Sequence, residues 1–147
     1  MGTRSTIALE FADGTVQQVY CHWDGYLDHN GAILEKHYKD PFKLRDLIDL
    51  GDLSSLAPNI GTQHGFNDRV GGECTFYGRD RGETGVSAKK FKDFEDYKKN
   101  HQYEEYEYIL RACGDKAVWF VADHSDTYVP LLAAMANQAD AFLEETE

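Results

Sequence analysis

The fold is decided by residues 5–23, which read STIALEFADGTVQQVYCHW. Apolar side chains alternate along the first part of this stretch, at Ile7, Leu9 and Phe11. That period of two is typical of a strand with one buried face. Asp13-Gly14 follows and supplies residues that tolerate positive φ, as both central positions of a type I′ turn require. The pattern therefore predicts a β-hairpin whose second strand covers residues 15–23.

Downstream of this hairpin, the residue spacing predicts helices on both sides of Asp40-Pro41. An aspartate followed by a proline is a typical N-cap and first helical residue, and Gly51 is a typical C-terminal stop. Apolar runs at 106–110 and 117–121 flank Gly114-Asp115 and predict a second hairpin. The smaller predicted elements are a helix near 30–38, a capped turn at 52–56, a loop over 59–72, a strand at 74–77, a charged turn at 79–83, a helix over 88–100 capped by Ser87, and a final helix over 129–144 capped by Ser125 or Asp126.

The predicted order of elements, β-β-α-α-β-α-β-β-α, indicates an α+β fold. A length of 147 residues suits one domain with a buried core. Because the strands come as hairpins rather than through long crossovers, we expect a single domain over residues 1–147. It would hold an antiparallel sheet built from two hairpins plus a short strand, covered by about four helices.

The composition is acidic, with 26 acidic and 15 basic residues and a formal net charge of −11. Such a protein lacks the basic surface that displaces counterions from phosphates, so we expect no direct binding of nucleic acid. With 41% hydrophobic residues, the chain is too apolar to be disordered. Residues 101–147 hold two basic side chains against ten acidic ones, so most of the negative charge belongs to the last third.

Several familiar kinds of site have no counterpart in the sequence. The three cysteines are scattered and odd in number, which is unlike a secreted disulfide framework. No C-x₂-C or H-x₃-H spacing, no G-x-S-x-G elbow and no phosphate-binding glycine motif occurs. We therefore expect no metal and no cofactor. Without a signal-peptide core or an apolar run long enough to span a bilayer, a cytoplasmic protein that does not contact membranes is expected.

Residues 21–26, CHWDGY, form the densest group of reactive side chains. Adjacent strand residues point to opposite faces, so Cys21 and His22 are not expected to meet. His22 and Asp24 share a face, and a carboxylate beside an imidazole orients it for general-base catalysis. The same residues also fit a structural strand end, in which Trp23 enters the core and Asp24 helps turn the chain. Both interpretations stay open at this point.

A second group of residues favours recognition over catalysis. Tyrosines and glutamates alternate at Tyr103, Glu104, Glu105, Tyr106, Glu107 and Tyr108. On a strand, the last two tyrosines face one side, and the other side offers carboxylates to a basic partner. An ordinary half-buried strand has the same pattern. Arg79 and Arg81 fit a protruding turn that either contacts an anionic group or pairs with its own neighbours.

Four segments resemble a group of small proteins encoded by bacteriophages and prophages. They are GTRSTIA at 2–8, VYCHWDGY at 19–26, LGDLSSL at 50–56 and CTFYGRDRG at 74–82. The resemblance covers residues 1–85 well and the remainder loosely. It implies a context in which small acidic phage proteins inhibit host systems, including anti-CRISPR and anti-restriction factors, some of which mimic DNA. It implies no catalytic residues.

Charge, aromatic pattern and resemblance together favour a binding protein rather than an enzyme. We expect an inhibitor of the anti-CRISPR or anti-restriction kind, which inhibits or diverts a host nucleic-acid-handling or defence protein. Its acidic surface would come chiefly from 104–107 and 140–147, and its partner would be a host protein with a basic surface. Two alternatives remain. One is a small enzyme or ligand-binding protein that uses residues 21–26, and the other is a homo-oligomer that pairs through its last helix.

Overall fold

The computed structural model of the protein describes residues 3–146, with side chains for residues 3–138. Eight β-strands and five α-helices form in this part of the chain. The strands are β1 (Ser5–Glu10), β2 (Val16–Cys21), β3 (Leu53–Ser55), β4 (Thr75–Phe76), β5 (Lys89–Phe91), β6 (Tyr106–Cys113), β7 (Lys116–Asp123) and β8 (Val129–Pro130). The helices are α1 (Ala32–His37), which follows a π-helical turn at Leu27–Gly31, then α2 (Pro41–Asp49), α3 (Tyr77–Arg81), α4 (Phe94–Asn100) and α5 (Leu131–Thr146).

The predicted α+β class is confirmed, and so are both hairpins. β1 pairs antiparallel with β2, and β6 pairs antiparallel with β7. The first turn is not type I′, because Gly14 has positive φ and Asp13 does not. The Asp13 carboxylate instead accepts hydrogen bonds from the backbone N–H and hydroxyl of Thr15, and Gly14 N donates to the Phe11 carbonyl at 2.9 Å. These bonds build a three-residue loop with glycine in the left-handed position.

The sheet is mixed rather than purely antiparallel, which corrects one detail of the predicted fold. Its strand order is β4-β3-β2-β1-β6-β7-β8, and β5 also pairs with β2. β1 and β6 are parallel, as are β2 and β3. Parallel neighbours need a long crossover, and the helical segments between these strands supply it. Such non-local pairing leaves no local signal in the sequence.

Both faces of the central strands are covered. One face packs against α1 and α2 around Leu34, Leu44 and Leu47, and the other packs against α4 around Tyr97. The central strand β1 is consequently buried from Ser5 to Leu9. The middle residues of β6, from Glu107 to Leu110, are therefore buried whichever face they lie on, and this decides the position of Glu107.

Helix α2 begins and ends where the sequence predicts. The Asp40 carboxylate accepts a hydrogen bond from Phe42 N at 3.0 Å, and Pro41 is the first helical residue. Gly51, with a φ of 86°, lies just beyond the C-terminal end. The cap and the stop are local chemistry, so the local sequence suffices to place them.

The segment predicted as one helix over 88–100 is instead strand β5 followed by helix α4. Asp93 caps this helix, and Ser87 does not. The Asp93 carboxylate accepts from Asp96 N at 2.8 Å, while the Asp96 carboxylate accepts from Lys92 N at 2.9 Å. This reciprocal capping fixes the start of α4 at Phe94.

Two further elements differ from the prediction. Residues 53–55 form a strand rather than a turn, because the Leu53 and Ser54 carbonyls accept from His22 N and Trp23 N.

The final helix begins at Leu131, after the short strand β8, so Ser125 and Asp126 do not cap it. Of its predicted apolar face, Leu132 is exposed, and the side chains of Ala139 and Leu143 lie outside the described ones. Within residues 3–146, no helix combines the length and the apolar character needed to cross a membrane.

Candidate functional site

Three loops meet at the edge of the sheet where β1 and β6 begin. These parallel strands start together, with Ser5 beside Tyr106. Their antiparallel partners β2 and β7 end at the same edge, at Cys21 and Asp123. The loop after β2, the residues before β6 and the loop after β7 are therefore neighbours. The His124 backbone N–H donates to the carbonyl of Glu105 at 2.8 Å across this edge.

The loop after β2 is held by buried polar bonds. The buried Tyr108 hydroxyl donates to the Gly25 carbonyl at 2.6 Å, and Gly25 N donates to the Thr3 carbonyl at 2.8 Å. Only glycine fits at this position, since a Cβ there would lie 2.7 Å from Ser5 Cβ and 2.9 Å from Thr3 O. The buried Asn30 amide adds a bond to the Trp23 carbonyl at 3.2 Å. The loop is consequently fixed against the first strand.

Carboxylates collect around two phenol rings at this edge. Burial raises the pKa of Tyr106, and three carboxylates raise it further, those of Asp123, Glu105 and Asp28. The pKa of Tyr26 is raised chiefly by the Asp24 carboxylate, and further by a small desolvation and by the Asp28 carboxylate. Asp28 thus lies close enough to act on both phenols. We name the four carboxylates of Asp24, Asp28, Glu105 and Asp123 the acidic edge.

Exposed aromatic side chains accompany the acidic edge. Trp23 is 40% exposed and Tyr26 is 36% exposed, although both belong to an ordered loop. The structural interpretation of residues 21–26 places Trp23 in the core, but Trp23 is exposed and the buried tryptophan is Trp119. His124 packs edge-on against the Tyr106 ring at 5.2 Å and pairs with Asp123. The exposed Tyr26 ring therefore shares one surface with the carboxylates of Asp24 and Asp28.

The structure does not join His22 to Asp24. The His22 ring shares a 2.7 Å hydrogen bond with the Tyr20 hydroxyl, and among the described residues no hydrogen bond or ion pair links it to Asp24. Strand β2 ends at Cys21, so the alternation that would place both on one face stops before them. Burial raises the pKa of Cys21 to about 12, which keeps the thiol protonated and poorly nucleophilic.

Two residues of the predicted recognition strand are buried, which corrects that prediction. Tyr108 is fully buried, and Glu107 is 1% exposed. Glu107 accepts from His101 Nδ1 at 3.1 Å and from the Tyr128 hydroxyl at 3.2 Å. The alternation along β6 is as predicted, but α4 covers the face that was expected to meet a partner. Glu104, Glu105 and Tyr106 remain partly exposed.

The predicted charged turn is a short helix, α3, and its two arginines behave differently. Arg79 is mostly buried and donates to the carbonyls of Ile60, Gly61 and Cys74. These hydrogen bonds hold the loop before β4 in place. Asp80, between the arginines, accepts from Arg79 and from Phe76 N. Arg81 is exposed, pairs with Glu83 and lies over the Phe66 ring. Arg79 is thus a structural residue, and Arg81 alone of this pair is free to meet solvent.

Sequence patterns missed Asp28 and Asp123 as members of the site. Their shared surface depends on the parallel pairing of β1 with β6, which no local pattern reveals. Within the described part of the chain, no group of three or more His, Cys, Asp or Glu side chains is placed to hold a metal ion.

Comparison of the chain with protein-family models, with curated proteins and with solved structures gave no match.

Proposed function

We propose that this chain is an acidic binding protein that inhibits or diverts a nucleic-acid-handling or defence protein of a phage host. It would do so by occupying a basic surface of that protein. The observation that supports the proposal is the acidic edge, whose four carboxylates surround the phenols of Tyr106 and Tyr26 in a region where Tyr26 and the neighbouring Trp23 are exposed. The proposal moves the contact surface from the predicted Tyr/Glu strand to the loops at its start.

Fixed carboxylates suit such a partner. Surfaces that bind phosphates are lined with Arg and Lys, and carboxylates accept charge-assisted hydrogen bonds from the same groups. The Tyr108–Gly25 and Gly25–Thr3 bonds hold the loop in place before binding, which lowers the entropy lost on association. A net charge of −11 also steers a basic partner toward the protein.

The exposed rings supply the rest of the contact. Tyr and Trp are enriched at the energetic centres of interfaces, and a guanidinium stacks favourably on their faces. Trp23 and Tyr26 lie in the same loop as Asp24, so one arginine-rich segment can meet rings and carboxylates together. An arginine-rich partner is favoured over a lysine-rich one, because arginine uses both kinds of contact.

The proposal is tested with a fluorescein-labelled deca-arginine peptide, followed by fluorescence anisotropy at about pH 8. The triple change Asp28→Asn, Glu105→Gln and Asp123→Asn should weaken binding by about tenfold or more. A matched triple, Asp46→Asn, Asp49→Asn and Asp115→Asn, removes the same charge from exposed positions elsewhere. If both triples weaken binding equally, net charge alone acts and the acidic edge is not the site.

A competition experiment addresses inhibition itself. An oligonucleotide bound to deca-arginine should be displaced by the protein, and the acidic-edge triple should displace it poorly. Trp23→Ala should weaken peptide binding even at high salt, where screening removes most of the charge contribution. Binding that is indifferent to salt and to both sets of changes would contradict the proposal.

A further inference from the structure

An apolar cavity of about 290 Å³ lies at the opposite end of the sheet, where β1 runs into its turn. Helix α2 covers the sheet as far as Leu9 and Leu110, which form the floor. Beyond them the lining combines three alanines, Ala12, Ala112 and Ala117, with the Phe11 ring and three charged side chains. The first turn of α2 overhangs this gap with the ring of Phe42, which is 68% exposed. The cavity therefore lies beneath the Phe42 ring, where Ala112 and Ala117 leave space above the strands.

Two of the three charged side chains that line the cavity satisfy each other. Arg111 donates to Glu10 Oε2 from Nη2 at 3.1 Å and from Nε at 3.3 Å. The Arg111 guanidinium also lies 3.7 Å from the centroid of the Phe94 ring. The pair presents little net charge to a ligand, because its two opposite charges cancel.

The third charged side chain, Arg45, is differently placed. It stands one helical turn after Phe42, and its guanidinium lies 5.4 Å from the centroid of that ring. Its ion pair with Asp46 spans 3.9 Å, the outer limit of such contacts, and about half of the Arg45 side chain is exposed. An exposed pair this long contributes little, so the guanidinium keeps most of its hydrogen-bonding capacity. The cavity thus combines apolar walls with one available cation at its mouth.

We propose that this cavity binds a small molecule made of an apolar chain or ring and one carboxylate. The apolar part would lie between Phe42 and the floor formed by Leu9 and Leu110. The carboxylate would accept a bidentate pair of hydrogen bonds from Arg45, the geometry in which guanidinium and carboxylate match best.

Size and lining narrow the ligand class. A dry cavity of about 150 Å³ lined by aliphatic and aromatic side chains holds benzene, so a volume near twice that suits a medium-chain fatty acid. Sugars and nucleotides are disfavoured, because their hydroxyl groups would meet apolar walls and lose the hydrogen bonds they make in water. A second anionic group is disfavoured as well, since the Glu10 carboxylate lies on the cavity wall.

The experiment compares decanoate with decanol, which have the same chain length but differ in charge, by titration calorimetry at about pH 8. We expect decanoate to bind about tenfold more tightly than decanol. Arg45→Gln should remove that preference and leave decanol binding unchanged. Arg81→Gln, which removes an exposed arginine outside the cavity, should change neither affinity. Ala117→Leu should fill the cavity and weaken the binding of both ligands.

Three outcomes would overturn the proposal. One is failure of both ligands to bind, and another is equal affinity for decanoate and decanol. The third is a dimer in sedimentation velocity that Phe42→Ala dissociates, since a second copy would then occupy the cavity. The proposal is independent of the acidic edge, so the triple variant of that edge should bind decanoate like the unchanged protein.

Discussion

The two ends of strands β1 and β6 carry opposite kinds of surface. At the acidic edge, where both strands begin, loops with carboxylates and exposed rings are tied to the sheet by buried hydrogen bonds such as Tyr108–Gly25. At the other end, apolar walls surround a cavity with one available arginine, Arg45. The same pair of strands thus offers an anionic surface at one end and a cationic, apolar one at the other.

Each end of the sheet depends on its residues in a different way. Order at the acidic edge depends on a few directional bonds among buried polar groups, and losing one partner leaves the other unsatisfied. The cavity end depends on apolar packing, which tolerates change more evenly. Substitutions near the acidic edge should therefore cost more stability than substitutions at the cavity.

The largest effect is expected from Glu107→Ala, beneath the acidic edge. It would leave the buried His101 without its carboxylate partner, at a cost of about 3 kcal/mol in the free energy of unfolding. Urea denaturation at about pH 6 measures the change. Glu105→Ala, two residues away on the partly exposed side, is the control and should cost less than about 0.5 kcal/mol. Equal costs would contradict the contrast between the two carboxylates.

The cost of Glu107→Ala should also depend on pH. Burial lowers the pKa of His101, but the hydrogen bonds to Glu107 and to the Gln102 carbonyl outweigh it and leave that pKa above 6.5. A raised pKa stabilises the fold fully below pH 6.5, and this contribution is lost as the pH rises through the folded-state value. The difference between the variant and the unchanged protein should therefore shrink by about pH 9. A difference that grows over this range would contradict a charged His101.

Gly25→Ala comes next in size. Its Cβ would lie 2.7 Å from Ser5 Cβ and 2.9 Å from a backbone oxygen, so the loop must shift at a cost of about 2 kcal/mol. Gly71→Ala is the control, because a Cβ at Gly71 meets no atom within 4 Å and its φ is not positive. Thermal unfolding and deca-arginine binding are measured for both variants. The comparison with Gly71→Ala separates a local shift of the Gly25 loop from a general loss of stability. An unchanged melting temperature for Gly25→Ala would contradict the close packing of this loop.

Tyr108→Phe tests one bond of the acidic edge without changing its shape. Loss of the hydroxyl leaves the Gly25 carbonyl without this donor, at a cost of about 1 kcal/mol. Faster amide hydrogen exchange in residues 22–26 should accompany that loss. Tyr103→Phe removes an exposed hydroxyl bonded to the Lys98 carbonyl and should leave exchange in this loop unchanged.

The smallest effect on stability is expected at the cavity. Phe42→Ala removes a ring that is already largely exposed, so the free energy of unfolding should change by less than about 0.5 kcal/mol. Decanoate binding should nevertheless weaken, because one wall is lost. Calorimetric titration and urea denaturation of one preparation measure both quantities. A large loss of stability would show that Phe42 belongs to the core after all.

Local features were predictable from the sequence to the extent that local chemistry decides them. The hairpins and the Asp40 cap follow from turn and capping residues that lie next to each other. The Asp93–Asp96 capping pair is an equally local signal, since the two acidic residues lie three apart and mark the start of α4, whereas helical spacing further upstream predicts one longer helix.

The site was predictable only in part, because it depends on pairing between distant segments. Alternation along β6 correctly separates Tyr108 from Glu107, but alternation cannot tell which faces are covered. The parallel register of Ser5 with Tyr106 brings Asp28 and Asp123 together, and nothing near either residue encodes it. Charge patterns thus indicated carboxylates near the start of β6 but assigned part of the predicted surface to buried side chains.

The parallel pairing of β1 with β6 also sets an order of events during synthesis. Strand β1 leaves the ribosome before its second neighbour, β6, which follows about a hundred residues later, a separation typical of slow, non-local pairing. Until β6 is synthesised, the first hairpin leaves the backbone groups along one edge of Ser5–Glu10 unpaired. Such an edge can pair with the wrong strand. Pairing of β6 with β1 and β7 therefore covers this exposed edge and lowers the tendency of the growing chain to aggregate.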